Sequence, residues 1–483
     1  MKLSHGILFI LLTYALQGCA PYEQYRTEYS LCRSPQKDCT KSALQWHDPE
    51  TSAESGYFLG FVEFDDQGDL KDRRQMHAVV DHLYTEAAKK DLLMVVFIHG
   101  WHHTARPNDG NIETFQKVLS KIATAETIEA GKAGRPAREV MGIYGGWRGD
   151  SLALGPLNVI TFWDRKNTAS EVGHGDVTEL LSRIELVKRT KDSIARRDAA
   201  TQQLTRIAND AKNKKQSANS VNDEPLTPAS VCAEPTKEST TEISSNTKLV
   251  VVGHSFGGLV VQSAIGQILE DRAIRTKGGN EGCMADVEGF GNLVVMINPA
   301  FEAQQYSTLR NVSSERKSYP PQQLPALLIL TSKGDDATGI AFPLGRRFST
   351  VFEKDGWKGE NISAVGHYPP YLTHELYKNP SSKTDPNLLS SWAKDAPSNK
   401  KLAIAGLILE RTKDGSRNPY LNVSVTQDLI EDHNDIGRPE IIEFIKQMIL
   451  LSTTPDKDRN SINFYTTTPV SVPAPADPVQ PKP

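Results

Sequence analysis

Leu249-Val250-Val251-Val252-Gly253-His254-Ser255-Phe256-Gly257-Gly258-Leu259 is the stretch on which the reading of this chain turns. Its four leading apolar residues, valine-rich and unbroken, suit a short strand buried on both faces. From Leu259 to Ile274 the pattern becomes helical. Between the two lies Gly-x-Ser-x-Gly, in the strand–turn–helix setting that lets such a turn present a serine hydroxyl at the carboxyl edge of a sheet. Small residues two before and two after the serine are a steric need, because the turn is tight and backbones approach closely. The hydroxyl then sits at the positive end of the following helix. Ser255 is therefore the candidate nucleophile.

The same alternation extends in both directions. Tyr57 to Phe64 reads as a strand stopped by the turn Asp65-Asp66-Gln67-Gly68, and Met76, Val79, Val80, Leu83 and Ala87 recur at helical spacing. Leu92 to Ile98 is another buried strand. Val159 to Trp163, Leu293 to Ile297, Leu327 to Thr331 and Tyr420 to Val425 follow, with a closing helix from Pro439 to Leu451. Strands that alternate with helices predict an α/β fold: a mostly parallel central sheet with helices on both faces.

His99-Gly100-Trp101 stands directly after the strand Leu92 to Ile98. With this turn and the serine motif together, the chain resembles the α/β-hydrolase family from about Gly56 to Leu451. The resemblance implies an oxyanion hole made by the backbone amides of Trp101 and Phe256; one such fixed donor is worth about 3 to 4 kcal/mol. Tyr144-Gly145-Gly146-Trp147-Arg148-Gly149 and Thr161-Phe162-Trp163-Asp164-Arg165-Lys166 are similar to a subgroup of exported bacterial serine esterases. The first of these could line a pocket or pack at a sheet edge. No carboxylate or cysteine stands at ligand spacing from His99, His102 and His103, so no metal is expected, and no cofactor is implied.

In this fold the triad runs Ser, then Asp or Glu, then His. Ser332-Lys333-Gly334-Asp335-Asp336 follows the strand Leu327 to Thr331, and Asp335 matches the family position better than Asp336. Two histidines compete for the last place. His433 lies between the strand Tyr420 to Val425 and the closing helix, whereas His367 follows a weaker strand-like stretch, Asn361 to Val365. The longer strand and the helix favour His433. His254, inside the serine turn, is expected to shape that turn. The implied activity is cleavage of carboxylic esters, small-molecule or lipid, through an acyl-enzyme. An acyltransferase or lipase on the same triad, or an envelope lipoprotein using the fold as a scaffold, are the alternatives.

The remaining sequence bounds this core. Met1 to Gly18 carries Lys2 and the apolar run Ile7 to Leu12, which is shorter than the roughly 20 residues of a spanning helix and reads as a signal peptide. Leu16-Gln17-Gly18-Cys19 resembles a bacterial lipobox, which implies lipid on Cys19 and a membrane anchor in the cell envelope, on the outer-membrane side by analogy with Ala20. Residues 19 to 54 show no apolar period and read as a tether. Exported cysteines favour disulfides: Cys32, Cys39, Cys232 and Cys283 allow three pairings, of which Cys32 with Cys39 across a short loop, together with Cys232 with Cys283, is preferred. The domain is expected over 55 to 451, with a helical insertion at about 166 to 247. Between Arg183 and Lys215 that insertion holds ten Lys/Arg against four Asp/Glu. It reads as a solvated helix, a cap over the site, or a basic face against anionic lipid. Seven of the 28 prolines fall after Leu451, so 452 to 483 is expected to be a disordered tail. With 55 basic and 59 acidic residues the net charge is −4, which gives no field for nucleic acid.

Overall fold

The computed structural model describes residues 23–149, 158–213, 244–276, 286–316, 319, 323–349, 359–379, 388–394, 401–412 and 418–454. The strands are β1 (Glu28–Ser34), β2 (Ser42–His47), β3 (Tyr57–Glu63), β4 (Leu92–Ile98), β5 (Glu139–Gly146), β6 (Lys248–His254), β7 (Leu293–Ile297), β8 (Leu327–Ser332), β9 (His374–Lys378), β10 (Lys401–Ile404), β11 (Leu407–Arg411) and β12 (Tyr420–Val425). They form one sheet in the order β1-β2-β3-β5-β4-β6-β7-β8-β12-β9-β11-β10. From β3 to β9 every neighbouring pair is parallel. Antiparallel pairs at the margins, β2 with β3, β9 with β11 and β10 with β11, make the whole sheet mixed.

The principal helices are α1 (Arg73–Ala87), α2 (Gly110–Ala133), α3 (Asn158–His174), α4 (Asp176–Asn213), α5 (Phe256–Arg275), α6 (Ser307–Glu315), α7 (Phe342–Ser349) and α8 (Pro439–Ser452). They divide the core in two. Leu92, Met94, Val96 and Ile98 of β4 pack with α1, α4 and α5, while Leu93, Val95 and Phe97 face α2 and α8. This is the period-two alternation of a strand covered on both sides, and it leaves the strand ends as the place for chemistry.

Four expectations need correction. Val159 to Trp163 is not a strand but the first part of α3, because Phe162, Lys166, Ala169 and Val172 continue inward at helical spacing. The strand at this point in the crossover is β5, whose glycines mask it: a Cβ on Gly142 would stand 2.2 Å from Leu119 Cδ1. Asn361 to Val365 folds as short helical turns, Gly359–Ile362 and Val365–His367. The segment read as a tether contributes β1 and β2, with Ser42, Ala43, Leu44 and Gln45 buried. It is part of the sheet, and Cys32 and Cys39 are disulfide-bonded there.

The fourth concerns the charged insertion. Val177, Leu180, Leu181, Ile184 and Val187 of α4 are buried in the core. Asp176 accepts from Leu70 N at 2.9 Å beyond the carboxyl end of β3, while Asp192 accepts from Ser245 N at 2.9 Å just before β6 begins. Helix α4 therefore runs from the carboxyl edge to the amino edge of the sheet. The residues after Asp192 extend it roughly 30 Å at 1.5 Å per residue, away from Ser255, so this helix is no cap. The expected signal peptide, Cys19, Cys232, Cys283 and the tail after Thr454 lie outside the described residues.

Candidate active site

Ser255 stands between β6 and α5, as the N-cap of the helix, in a conformation that few residues adopt, with φ 56° and ψ −119°. The turn is closed by contacts that only glycine allows. A Cβ on Gly257 would lie 2.1 Å from the Ile98 carbonyl oxygen, and one on Gly253 would lie 2.6 Å from that of Gly257. Ser255 N donates to Ile297 O at 2.9 Å, and its own carbonyl accepts from Gly258 N and Ala300 N at 3.0 and 3.2 Å. These bonds tie the strained turn to β7, so the hydroxyl is held out from the sheet edge.

The loop between β12 and α8 brings His433 to it. Ser255 Oγ and His433 Nε2 are 2.5 Å apart, and His433 Nδ1 lies 2.9 Å from Asp335 Oδ1. Asp335 is 1% exposed. Burial alone would raise its carboxyl, but the hydrogen bond and charge of His433 and the two donors of Thr338 outweigh it and hold the group below the ordinary range. Thr338 N donates at 3.1 Å, and the Thr338 hydroxyl donates to the other carboxylate oxygen. With Nδ1–H donated to a carboxylate, Nε2 of His433 is left to accept from the serine.

His433 is also gripped from behind. Its carbonyl oxygen accepts from His254 Nε2 at 3.0 Å and from Asn298 Nδ2 at 2.9 Å. Burial, followed by the charge of His433, pulls the His254 imidazole down to about 3. It is therefore neutral and donates from Nε2. Asn298 also accepts from Ser332 N at 2.9 Å, so one side chain joins the ends of β7 and β8 to the histidine loop. His254, inside the serine turn, thus also holds the loop of His433. His367 touches neither Ser255 nor Asp335 among these contacts. Its Nε2 bonds the Thr338 hydroxyl at 3.0 Å, one residue removed from the carboxylate.

The His99-Gly100-Trp101 turn lies against the serine. A Cβ on Gly100 would stand 2.8 Å from Ser255 Cβ. His99 is fully buried, which brings its imidazole down to about 4. Its tautomer follows from its partners: Nδ1–H donates to Gly100 O at 2.9 Å, and Nε2 accepts from Trp147 N at 3.0 Å. The Gly100 carbonyl and the Trp101 N–H belong to one planar peptide and point in opposite directions, so fixing the first aims the second. Trp147 is fully buried, stacks on His99 at 5.6 Å and donates from Nε1 to His99 O at 2.9 Å. Tyr144 to Gly149 is thus packing behind this loop. Trp101 packs on Phe162 at 5.5 Å and Phe256 at 6.2 Å, and Phe162 in turn meets Phe342 at 6.4 Å. This gives the serine an aromatic flank.

His103 is held by two side chains: its Nδ1 bonds Asp109 at 2.9 Å and its Nε2 bonds Asn111 at 2.8 Å. Among the described residues no group of three His, Cys, Asp or Glu is arranged to hold a metal. Sequence reasoning missed Thr338 and Asn298. Each stands at the carboxyl end of a core strand, Asn298 directly after β7 and Thr338 three residues beyond Asp335, which is the only signal they carried. No protein-family model, curated protein or solved structure matches the chain.

Proposed function

We propose that this chain is a serine hydrolase of the α/β-hydrolase fold, cleaving carboxylic esters through an acyl-enzyme. The observation that carries the reading is the continuous contact Ser255 Oγ to His433 Nε2 at 2.5 Å and His433 Nδ1 to Asp335 Oδ1 at 2.9 Å. The three residues follow β6, β8 and β12 in the order Ser, Asp, His, each at the carboxyl edge of the parallel core. Nε2 takes the serine proton as Oγ attacks the ester carbonyl. Asp335 holds the imidazole in one tautomer and stabilises the imidazolium. The amides of Trp101 and Phe256 receive the oxyanion. The imidazolium then protonates the departing alcohol, and water attacks the acyl-enzyme with His433 again as base, restoring Ser255 and releasing the acid.

The same reading places the chain outside the cytoplasm, held in the bacterial envelope by lipid on Cys19. The Cys32–Cys39 disulfide supports export, since such bonds persist in oxidising compartments. Fluorophosphonate labelling tests the nucleophile. Ser255 is expected to carry the label under native conditions, and Ser255→Ala is expected to lose the label and about 10⁴-fold or more of esterase activity. Retention of full activity by Ser255→Ala would overturn the assignment. Incorporation of labelled fatty acid, absent in Cys19→Ala, checks the anchor.

A further inference from the structure

The described chain enters the fold at the edge that carries Ser255. Tyr25 N and Arg26 N donate to the Glu63 carboxylate at 2.9 and 2.8 Å, and Glu63 is the last residue of β3. Arg26 Nε donates to Ala105 O at 3.2 Å, in the loop that continues from His99-Gly100-Trp101. Arg26 and Glu63 are 3% and 0% exposed, so this entry is clamped. Three strand steps separate β3 from β6 in the sheet, about 14 Å at 4.8 Å per step. Cys19 precedes Tyr25 by six residues, which reach about 21 Å at most. A lipid on Cys19 therefore holds the carboxyl edge of the sheet, and Ser255 with it, within a short distance of the bilayer.

A second observation lies on the same edge. Ile340 and Leu344 are 56% and 51% exposed, one helical turn apart in the segment that follows Asp335. Phe342, between them, is fully buried and meets Phe162 and Trp163. The segment thus turns one large apolar side chain into the aromatic flank of the site and two outward. Leu204 and Ile207 of α4 are exposed too. They lie on the part of α4 that leaves by the amino edge, away from the edge that the six-residue reach from Cys19 to Tyr25 holds near the bilayer.

We propose that the carboxyl edge is a lipid-facing surface, seated on the bilayer by Ile340 and Leu344 beside an acylated Cys19, and that Ser255 acts on esters carried by membrane lipids. The substrate class rests on the triad and anchor proposed above; the seating of Ile340 and Leu344 is read separately. An ester that stays partly in the membrane reaches the serine along the aromatic flank of Trp101 and Phe162 without first crossing water.

The test uses the acylated full chain in phosphatidylcholine vesicles, with two substrates: a water-soluble short-chain ester and a long-chain ester carried in the bilayer. Ile340→Ser/Leu344→Ser is expected to keep turnover of the soluble ester within about twofold and to lose about tenfold or more on the bilayer ester, because two large apolar contacts are removed. Leu204→Ser/Ile207→Ser is expected to change neither. Unchanged bilayer turnover in the first variant overturns the proposal, as does an equal loss on both substrates or a selective loss in the second variant. A wild-type chain inactive on both esters and unlabelled by fluorophosphonate would sink the hydrolase reading instead. The seating is then still read without catalysis: brominated lipid is expected to quench a tryptophan introduced by Leu344→Trp and not one introduced by Leu204→Trp. Equal quenching overturns the lipid-facing edge.

Discussion

Asp335 receives three donors, and they differ in what they do. His433 Nδ1 and Thr338 N share one carboxylate oxygen, while the Thr338 hydroxyl takes the other. That hydroxyl also accepts from His367 Nε2 at 3.0 Å, so the two histidines that compete in the sequence both connect to one carboxylate, one directly and one through a threonine. The position of His433 after a long strand made it legible; nothing in the residues around Thr338 announced a bond back to Asp335. The Thr338 hydroxyl bond is a bond to a charge, of the kind worth about 1.5 to 3 kcal/mol. If Asp335 orients His433, Thr338→Val is expected to lower kcat on a soluble ester by about tenfold, since 1.4 kcal/mol is a factor of ten. Thr338→Ser, which keeps the hydroxyl, is expected to stay near the wild type. Equal kcat in Thr338→Val and wild type would make the contact structural only.

At the scale of elements, the site depends on how closely α5 approaches β4. The first turn of α5 presses against the carbonyls of Ile98 and His99 through Gly257, which has no room for a side chain. Gly257→Ala is expected to cost about 3 kcal/mol or more, because the atom it meets is backbone and does not yield. Gly131, in the last turns of α2, has nothing within 4 Å of a built Cβ. Gly131→Ala is expected to stabilise the fold by about 0.5 to 1 kcal/mol. Denaturant midpoints of the two variants check both signs. The same physics decides which elements were legible. Strands β4 and β7 are unbroken apolar runs and β6 and β8 are built around them (Leu249 to Val252, Leu327 to Leu330), so composition marks these four, while β12 is legible although Asn422 and Ser424 interrupt its apolar residues. β5 carries glycines where neighbours intrude, and β1 and β2 are polar margin strands. The run Val159 to Trp163 looks like a strand, yet it opens a helix whose inward positions continue to Val172. Those outcomes depend on long-range packing that local pattern does not carry.

Across the whole molecule, imidazoles withheld from solvent recur along the sheet, His99 and His254 buried and His47 and His374 half-buried. Burial brings His47 on β2 and His99 after β4 down to about 4, and His254 at the end of β6 and His374 on β9 down to about 3. Each has an ordinary value near 6.5 in the unfolded chain. With the folded value depressed, the unfolded state binds more protons below pH 6.5, so stability is fully present above that pH and is lost as pH falls towards 4 and 3. The slope is about 1.4 kcal/mol per pH unit for each such group. Four of them together can therefore remove several kcal/mol, a large share of a stability of roughly 5 to 15 kcal/mol. Carboxylates held low, such as Asp335, act only at lower pH because their unfolded value is 3.8. The free energy of unfolding is accordingly expected to be level above pH 7.5 and to fall steeply between pH 6.5 and 4.5, measured by urea denaturation at a series of pH values. His374→Gln removes one titrating group distant from the triad, and is expected to flatten that fall by up to about 1.4 kcal/mol per unit. A stability that stays level down to pH 4.5 would mean that these histidines accept protons in the folded chain, despite the burial of His99 and His254.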